Sequence, residues 1–156
     1  MAASTLEVLL DPAQLPSPPK PVGNYVAVLR HGDLLYTSGM IPLESGQLKY
    51  TGAIGGLSVG IEQGQAAAKL CVLNGLSAIY DYLGGSFEAL DRVVKVTGFV
   101  QSAPGFYQQP KVMNGASDTL VEWFGEAGKH VRSAVGVSAL PLDASVEVEL
   151  VVALKT

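Results

Sequence analysis

The sequence predicts an α+β domain in which a mostly antiparallel sheet carries two helices packed on one face. Two segments, residues 59–83 and 110–128, have apolar residues spaced by three or four positions, as in amphipathic helices. β-prone runs precede, separate and follow these segments, so the predicted order of elements is ββ(β)αβαββ. Two helices joined to a mostly antiparallel sheet pack on one of its faces.

Residues 1–22 are predicted to form an N-terminal arm, and residues 23–156 the domain itself. The arm combines a short possible helix, Leu6 to Leu10, with a proline-dense stretch between positions 16 and 21. Because proline fixes φ and lacks a backbone donor, this stretch favours an extended segment lying on the domain. A mobile leader is the alternative, and the sequence does not distinguish the two.

The domain begins with a predicted β-hairpin. Residues 25–30 and 34–40 are β-prone and flank turn-forming residues at positions 31–33. Strand alternation places Tyr36 and Ser38 on the same face. A short edge strand is then predicted at residues 48–51, after a Ser-Gly turn.

Each helical segment has a predicted core-facing stripe. In the first segment the stripe is Ala66, Leu70, Leu73, Leu76, Tyr80 and Leu83. In the second it is Ala116, Leu120, Trp123, Phe124 and Ala127. Glycines at positions 84 and 85 supply a stop for the first helix, and Pro110 can start the second. Cys71, in the middle of the first helix, is predicted to be a buried, unreactive thiol.

A β-rich run at residues 92–102 separates the helices, and two apolar runs within residues 131–154 end the domain. The first of these two runs contains one cation, Arg132, and the second contains the carboxylates Glu147 and Glu149. A charge inside an apolar strand is costly unless another group offsets it. The last two strands are therefore the first place to look for chemistry.

Arg132 has two possible roles on the evidence of the residues alone. Small neighbours on its strand face, Ala134 and Gly136, leave room beside a guanidinium whose fork suits bidentate binding of a carboxylate. A structural ion pair with Glu147 or Glu149 is the alternative, and composition by itself favours the ion pair.

The composition predicts a homo-oligomer. Hydrophobic residues make up 48% and charged residues 15% of the chain, whereas about 25% of residues are charged in a typical soluble domain. No apolar run approaches the roughly 18 residues that a membrane span needs, so we expect the surplus at interfaces between copies. The net charge of -4 argues against a nucleic-acid-binding surface.

No metal or cofactor is expected. The single cysteine excludes an intramolecular disulfide, and the two separated histidines, His31 and His130, are a poor set of metal ligands. Neither histidine has a sequence partner that would identify a catalytic triad, so either could be a turn or surface residue. The first residues lack the basic and apolar regions of a signal peptide, which makes the cytoplasm the expected compartment.

Four segments in order resemble the RidA family, also called the YjgF or L-PSP family, over about residues 21–155. They are PVGNYVAV with the downstream LLYTSGMIP, the helix at residues 59–83, VMNGASDTLVEWFG, and VRSAVGVSALPLDASVEVELVVAL. The last segment is the most specific, because its arginine, its Leu-Pro pair and its strand glutamate have the family spacing. The N-terminal arm and the NGASD segment resemble a longer subgroup.

The resemblance implies a chorismate-mutase-like fold of the bacillus type and a homotrimer with ligand clefts between subunits. It also implies hydrolysis of reactive enamines and imines, such as 2-aminoacrylate, to a 2-keto acid and ammonia, with no cofactor. Arg132 matches the arginine that holds the substrate carboxylate, and Glu147 the glutamate that positions or activates water. Tyr25, Ser38 and Asn114 match cleft-lining positions.

Two positions depart from the family pattern. Ala134 stands where cysteine is frequent, and Met40 stands where glutamine is usual, so both bear on the choice of substrate. A protein that binds 2-keto acids in the same cleft without turnover is therefore a second hypothesis. RNA cleavage, reported for some family members, is a third hypothesis, weakened by the acidic charge balance and the scattered basic residues.

Overall fold

A five-stranded sheet and two helices form the body of the protein in a computed structural model that describes residues 6–156. In chain order the elements are β1 (Val28–His31), β2 (Leu34–Thr37), β3 (Leu43–Glu44), β4 (Gln47–Leu48), α1 (Ile61–Tyr82), β5 (Leu90–Gln101), α2 (Gln109–Phe124), β6 (Val131–Val137) and β7 (Val146–Leu154). The predicted order is confirmed for the first two strands and from α1 to the end of the chain, whereas two short strands, β3 and β4, stand in place of the single one predicted before α1.

The main sheet has the strand order β1-β2-β7-β5-β6. Only the β5–β6 pair is parallel among the pairings of this sheet in the described residues. α1 and α2 pack against each other and against the sheet, with the core between them. The predicted α+β class, with a mostly antiparallel sheet and both helices on one face, is confirmed.

The other face of the sheet has no helix against it within the described part of the chain. One row across all five strands consists of Leu29, Tyr36, Val151, Lys95 and Val131. Leu29 and Val131 at the two ends of the row are 59% and 66% exposed. Exposed apolar surface of this kind is typical of a surface that meets another protein.

The first hairpin forms as predicted, but the following segment differs. β1 and β2 pair across a tight turn, and Tyr36 is exposed while Thr37 is buried, as the predicted alternation requires. Residues 48–51 are not an edge strand. Instead β3 and β4 pair with each other as a separate two-stranded sheet, and only Thr51 bridges to the loop before β7.

The stripe predicted for α1 has the wrong phase. Of its members only Leu76 is buried, and the buried face is instead centred on small residues: Gly64, Ala67, Ala68, Cys71, Gly75 and Ala78. Small side chains let α1 approach both the sheet and α2 closely, and the larger leucines lie at the margins of the contact. The stripe predicted for α2 is confirmed, since all five of its residues are buried.

The arm lies on the domain from Leu6 onwards, and residues 1–5 fall outside the described part of the chain. The short helix predicted at Leu6 to Leu10 is wrong, because none of these residues is helical and the Leu9 amide donates to the carbonyl of Trp123 at 2.8 Å. A single 3-10 turn follows at Pro12–Gln14. Farther along, the Ser77 hydroxyl donates to the carbonyl of Pro16 at 2.5 Å.

No helix in residues 6–156 combines the length and the apolar character that crossing a bilayer requires.

Candidate functional site

The structure divides the five predicted site residues into two groups. Tyr25, Ser38 and Glu147 line one cavity of about 390 Å³, which we call the Glu147 cavity. Arg132 and Asn114 lie together on the other side of the sheet, beside α2, in what we call the Arg132 cluster. No contact joins the two groups within residues 6–156 of one chain.

The Glu147 cavity has apolar walls with a few polar groups. The apolar lining includes Val22 from the arm, Ile41 and Leu43 from the segment after β2, and Leu142 from the loop before β7. The Ser38 hydroxyl donates to the carbonyl of Val26 at 2.7 Å, which leaves its lone pairs free to accept. The arm and three separate segments of the domain thus enclose one carboxylate.

Glu147 faces the cavity because of strand alternation. Val146 and Val148 on either side are fully buried in the core, so Glu147 must project from the opposite face of β7. Its carboxylate lies against Gly39, where a Cβ atom would overlap Oε1. Gly39 therefore has no side chain for a steric reason, and this close approach sets the direction of the carboxylate.

Burial is the main cause that raises the pKa of Glu147, and the neighbouring carboxylate of Glu149 raises it further. A carboxylate with a raised pKa holds a proton more readily, which suits a general base near neutral pH. Met40, on the same wall, is buried and pairs its backbone with Val148 at 2.8 and 3.0 Å. Its thioether provides no strong donor or acceptor.

The loop before β7 closes one side of the cavity in a strained conformation. Leu142 and Asp143 both have positive φ, 58° and 63°, which costs roughly 1–2 kcal/mol for each non-glycine residue. The Asp143 carboxylate accepts from Gln101 Nε2 at 2.9 Å, and its carbonyl accepts from the Gly52 amide at 2.9 Å. These bonds hold the loop, so Leu142 stands 74% exposed beside the cavity.

Arg132 projects toward α2. It lies in register with Val96, which is fully buried beneath the helices. Its Nη1 donates to Asn114 Oδ1 at 3.0 Å and to Ser117 Oγ at 3.1 Å, and Nη2 makes a longer contact of 3.4 Å with the carbonyl of Pro110. Every one of these acceptors is neutral.

The internal ion pair, which composition favoured, is wrong. Glu147 and Glu149 project from the face of the sheet opposite to Arg132, and β5 lies between β6 and β7. Two strand spacings of about 4.8 Å separate these strands. Among residues 6–156 the recorded ion pairs involve Lys49 and Lys129 only.

The hydrogen bonds of Arg132 leave a defined edge of its guanidinium free. A guanidinium has five N–H donors, and both Nη1 donors and one Nη2 donor are used within the described residues. The Nε donor and the second Nη2 donor remain. Two donors on the guanidinium can bind the two oxygens of a carboxylate in parallel, so the cluster presents a fork of the right kind for an anion.

Two residues of the Arg132 cluster were missed by the sequence reasoning. His130 is neither a turn residue nor a simple surface residue, because its Nε2 lies 2.9 Å from Ser117 Oγ and its Nδ1 lies 2.6 Å from the carbonyl of Gly128. Spacing could have indicated both residues. Ser117 follows Asn114 by three positions on a helix, and His130 precedes Arg132 by two.

Burial lowers the pKa of His130, and the Arg132 charge lowers it further against the opposing effect of the Gly128 bond.

Cys71 is fully buried as predicted, and burial raises the pKa of its thiol well above the ordinary value. Within residues 6–156 no three His, Cys, Asp or Glu side chains gather closely enough to hold a metal ion.

Fold and site together define a class of small α+β protein that combines an open sheet face, a carboxylate cavity and an arginine with neutral hydrogen-bond partners. The chain belongs to the endoribonuclease L-PSP family, whose model matches residues 16–154. This confirms the resemblance to the RidA or L-PSP family.

Three relatives illustrate the similarity. Protein TCP17 of Trypanosoma cruzi is 42% identical over 142 residues, which is 90% of this chain and 88% of that protein. A RutC family protein of Pyrococcus horikoshii is 32% identical over 133 residues, covering 85% of this chain and 89% of its own length. A crystal structure of a protein of unknown function from Agrobacterium tumefaciens superposes with a TM-score of 0.82 at 42% identity, covering 85% of this chain and 82% of that one.

Proposed function

We propose that the protein hydrolyses 2-imino acids, formed from enamines such as 2-aminoacrylate, to 2-keto acids and ammonia. The observation that carries the proposal is the state of Arg132, which has neutral hydrogen-bond partners, no ionic partner in residues 6–156 and two free donors. A cation prepared in this way favours an anionic ligand, and a 2-imino acid carries its carboxylate next to the reactive carbon.

Substrate binding begins with the carboxylate. Arg132 would hold both oxygens through Nε and Nη2, and each charge-assisted hydrogen bond contributes roughly 1.5–3 kcal/mol where water is excluded. Asn114 accepts from Nη1 and keeps the guanidinium in place. This contact fixes the position of the imine carbon relative to the rest of the cleft.

Hydrolysis needs a base and a water. Glu147 would orient the water and accept one of its protons while the oxygen bonds to the imine carbon and the C=N electron pair moves to nitrogen. Return of that proton to nitrogen makes ammonia the leaving group. As the C–N bond breaks, the hydroxyl of the intermediate gives its proton to Glu147 and its oxygen becomes the keto oxygen. A protonated imine is already electrophilic, so no cofactor enters this sequence. Tyr25 and Ser38 would line the cleft around the reacting group.

A second copy of the chain must complete the site. Arg132 and Glu147 project from opposite faces of one sheet, so a single chain cannot place both on one small substrate. The open sheet face, with its exposed apolar residues, is where we place the contact between copies. We propose a homotrimer, which light scattering should detect as about three times 16.2 kDa. A monomer at micromolar concentration would contradict this assembly.

The direct test is release of ammonia and 2-keto acid from 2-aminoacrylate generated in the assay by a second enzyme. The wild-type protein should release both products faster than buffer alone does, and the Arg132→Ala variant should not. Arg30→Ala is the matched control, because Arg30 is an exposed arginine whose side chain, among residues 6–156, bonds only to the nearby carbonyl of Gly32. Equal rates for wild type and Arg132→Ala would rule out the proposed reaction.

Binding of a 2-keto acid without turnover is the second candidate function. Met40 on the cavity wall favours it, because this side chain places a thioether where a more polar group would interact with the reacting atoms. Calorimetry with 2-oxobutyrate, set beside the hydrolysis assay, separates the two functions. Binding that depends on Arg132 with no turnover would establish the binding protein.

RNA cleavage is the third candidate, and the family's description names that activity. The net charge of -4 weighs against it, because RNA phosphates call for a basic surface. Cleavage that persists in Arg132→Ala and follows a contaminating fraction would remove it.

A further inference from the structure

A chain of hydrogen bonds runs from a backbone carbonyl to Arg132 through two side chains that the proposed reaction does not otherwise use. Gly128 O lies 2.6 Å from His130 Nδ1, His130 Nε2 lies 2.9 Å from Ser117 Oγ, and Ser117 Oγ lies 3.1 Å from Arg132 Nη1. This hydrogen-bond chain joins the 3-10 turn after α2 (Gly125–Gly128), the residue before β6 and the middle of α2.

Each bond in this chain has only one possible direction when His130 is neutral. A carbonyl can only accept, so the proton of the imidazole sits on Nδ1 and points at Gly128. Nε2 is then an acceptor and takes the hydroxyl proton of Ser117. The lone pairs of Ser117 Oγ must therefore face Arg132, whose Nη1 can only donate.

We propose that Ser117 and His130 are positioning residues that hold the guanidinium of Arg132 by its Nη1 edge and so reserve the Nε–Nη2 edge for a carboxylate. The inference rests on the proposed role of Arg132 as the carboxylate-binding residue. Asn114 holds the same nitrogen from a second direction, so both Nη1 donors are occupied.

Without this hydrogen-bond chain the guanidinium would keep its charge but would lose its fixed orientation. A Ser117 hydroxyl without its His130 partner rotates freely. An arginine with a free Nη1 donor can then present its Nη1–Nη2 edge to an anion as readily as its Nε–Nη2 edge. Part of the binding energy would then be spent on ordering the side chain. The expected result is weaker carboxylate binding with little change in the later chemical steps.

The experiment measures 2-oxobutyrate affinity by calorimetry and, separately, KM and kcat for 2-aminoacrylate-derived imine. Ser117→Ala and His130→Leu should each weaken 2-oxobutyrate binding and raise KM by about 10-fold, the effect of losing one hydrogen bond to a charged group. kcat should change by less than about 2-fold, since a pre-bound substrate meets the same water and base. Ser117→Thr, which keeps the hydroxyl, should restore most of the affinity.

A double-mutant cycle gives the sharpest comparison. Because His130 acts through Ser117, the pair Ser117→Ala/His130→Leu should bind 2-oxobutyrate no more weakly than either single variant. Thr119→Val is the control, since it removes a hydroxyl from the same helix that bonds only to the carbonyl of Gly115. It should leave the affinity unchanged.

Three outcomes separate this inference from the proposed function. Wild-type binding that Ser117→Ala and His130→Leu leave unaltered, or effects that add in the double variant, would overturn the positioning role alone. Binding of 2-oxobutyrate by wild type without imine hydrolysis would overturn the proposed reaction alone. The binding data would still test the role of the hydrogen-bond chain. Absence of both 2-oxobutyrate binding and imine hydrolysis in wild type would overturn both.

Discussion

The guanidinium of Arg132 is surrounded by neutral oxygens. Asn114, Ser117 and Pro110 supply an amide oxygen, a hydroxyl and a carbonyl, and the two carboxylates of β7 lie beyond the sheet. A structural arginine is usually neutralised by a carboxylate, because a half-buried cation without a partner is unfavourable. The arrangement is consistent with a ligand that supplies the missing negative charge.

Arg132→Lys should lose most of the hydrolytic activity although it keeps the positive charge. An ammonium cannot make two parallel bonds to a carboxylate, and it cannot bond Asn114 and Ser117 at the same time in the same geometry. We expect kcat/KM to fall by at least about 10-fold, the loss of one charge-assisted bond. Arg30→Lys is the matched control, and an Arg132→Lys protein with wild-type kcat/KM would contradict the bidentate geometry.

The raised pKa of Glu147 predicts two pH effects. Its ordinary value is 4.5, and the folded protein holds the proton to a higher pH than the unfolded chain does. The stability that protonated Glu147 contributes is therefore fully present below the ordinary pKa and lost as the pH rises through the folded pKa. Activity should change in the opposite sense, falling as the pH drops through the folded pKa, because the base becomes protonated.

Thermal unfolding of Glu147→Gln checks the first effect. The comparison is best made in the Arg132→Ala background, which removes the cation we place near Glu147 in the assembly. Glu147→Gln should raise Tm at neutral pH and have a smaller effect near pH 4, while hydrolysis is lost throughout. A lower Tm at neutral pH would show that ionised Glu147 stabilises the fold.

At this scale the sequence indicated the roles of a few residues but not their neighbours. Arg132, Glu147, Tyr25, Ser38 and Asn114 were predicted as site residues, and their roles stay predictions. The ion pair could not be excluded from the sequence, because the face that a strand residue occupies depends on register across β5. The Ser117–His130 bond joins a residue of α2 to the residue just before β6, and the two lie 13 positions apart in the chain.

At the scale of single elements, the hydrophobic pattern predicted α2 well and α1 poorly. α2 has one large apolar stripe with a polar face, so its periodicity is unambiguous. α1 contacts the sheet, α2 and the N-terminal arm, and most of the residues it buries are small or polar, such as alanine, glycine, cysteine and Asn74, with Leu76 as its one buried leucine. A pattern that counts large apolar residues selects the margins of such a helix rather than its centre.

Close approach of the two helices should make Gly115 intolerant of a side chain. A Cβ atom at this position would lie within 2.7 Å of the backbone Cα and carbonyl carbon of Gln65 on α1. Gly115→Ala must push the helices apart and should lower the free energy of unfolding by about 1–3 kcal/mol. Chemical denaturation measures this change.

The control for this variant is Glu122→Ala, on the exposed side of the same helix. It should change the free energy of unfolding by no more than about 0.5 kcal/mol. If Gly115→Ala were as stable as wild type, the helices would not be packed as closely as the structure shows. The same substitution in an exposed helix would be stabilising, because alanine has the higher helix propensity.

The strained loop before β7 shows another limit of sequence reasoning. Leu140 and Pro141 marked a loop, but two successive left-handed residues, Leu142 and Asp143, were not predicted, and this conformation is not typical of leucine. They persist because Gln101 and Gly52 bond Asp143 from the core side. Long-range bonds of this kind leave no local pattern, and strain of this kind tends to lie at functional sites.

At the scale of the whole molecule, one chain places the Glu147 cavity and the Arg132 cluster on opposite faces of a sheet. The Glu147 cavity opens on one side and the Arg132 cluster on the other, and β5 lies between their strands. The composition contains a surplus of apolar residues, which predicted contacts between copies. The structure places part of that surplus on the open sheet face. How copies meet could not be predicted from composition, since it depends on the shape of that face.

The central claim, that two copies of the chain form each site, is tested most directly by mixing two inactive variants. The Arg132→Ala variant keeps Glu147, and the Glu147→Gln variant keeps Arg132. Neither protein alone should therefore hydrolyse the imine derived from 2-aminoacrylate. After joint refolding at equal amounts, an interface has both functional residues with probability one half times one half. The mixture should therefore recover about a quarter of wild-type activity for a closed ring of copies. Activity no higher than that of the separate variants, in a mixture that light scattering shows to have assembled, would contradict a site shared between copies.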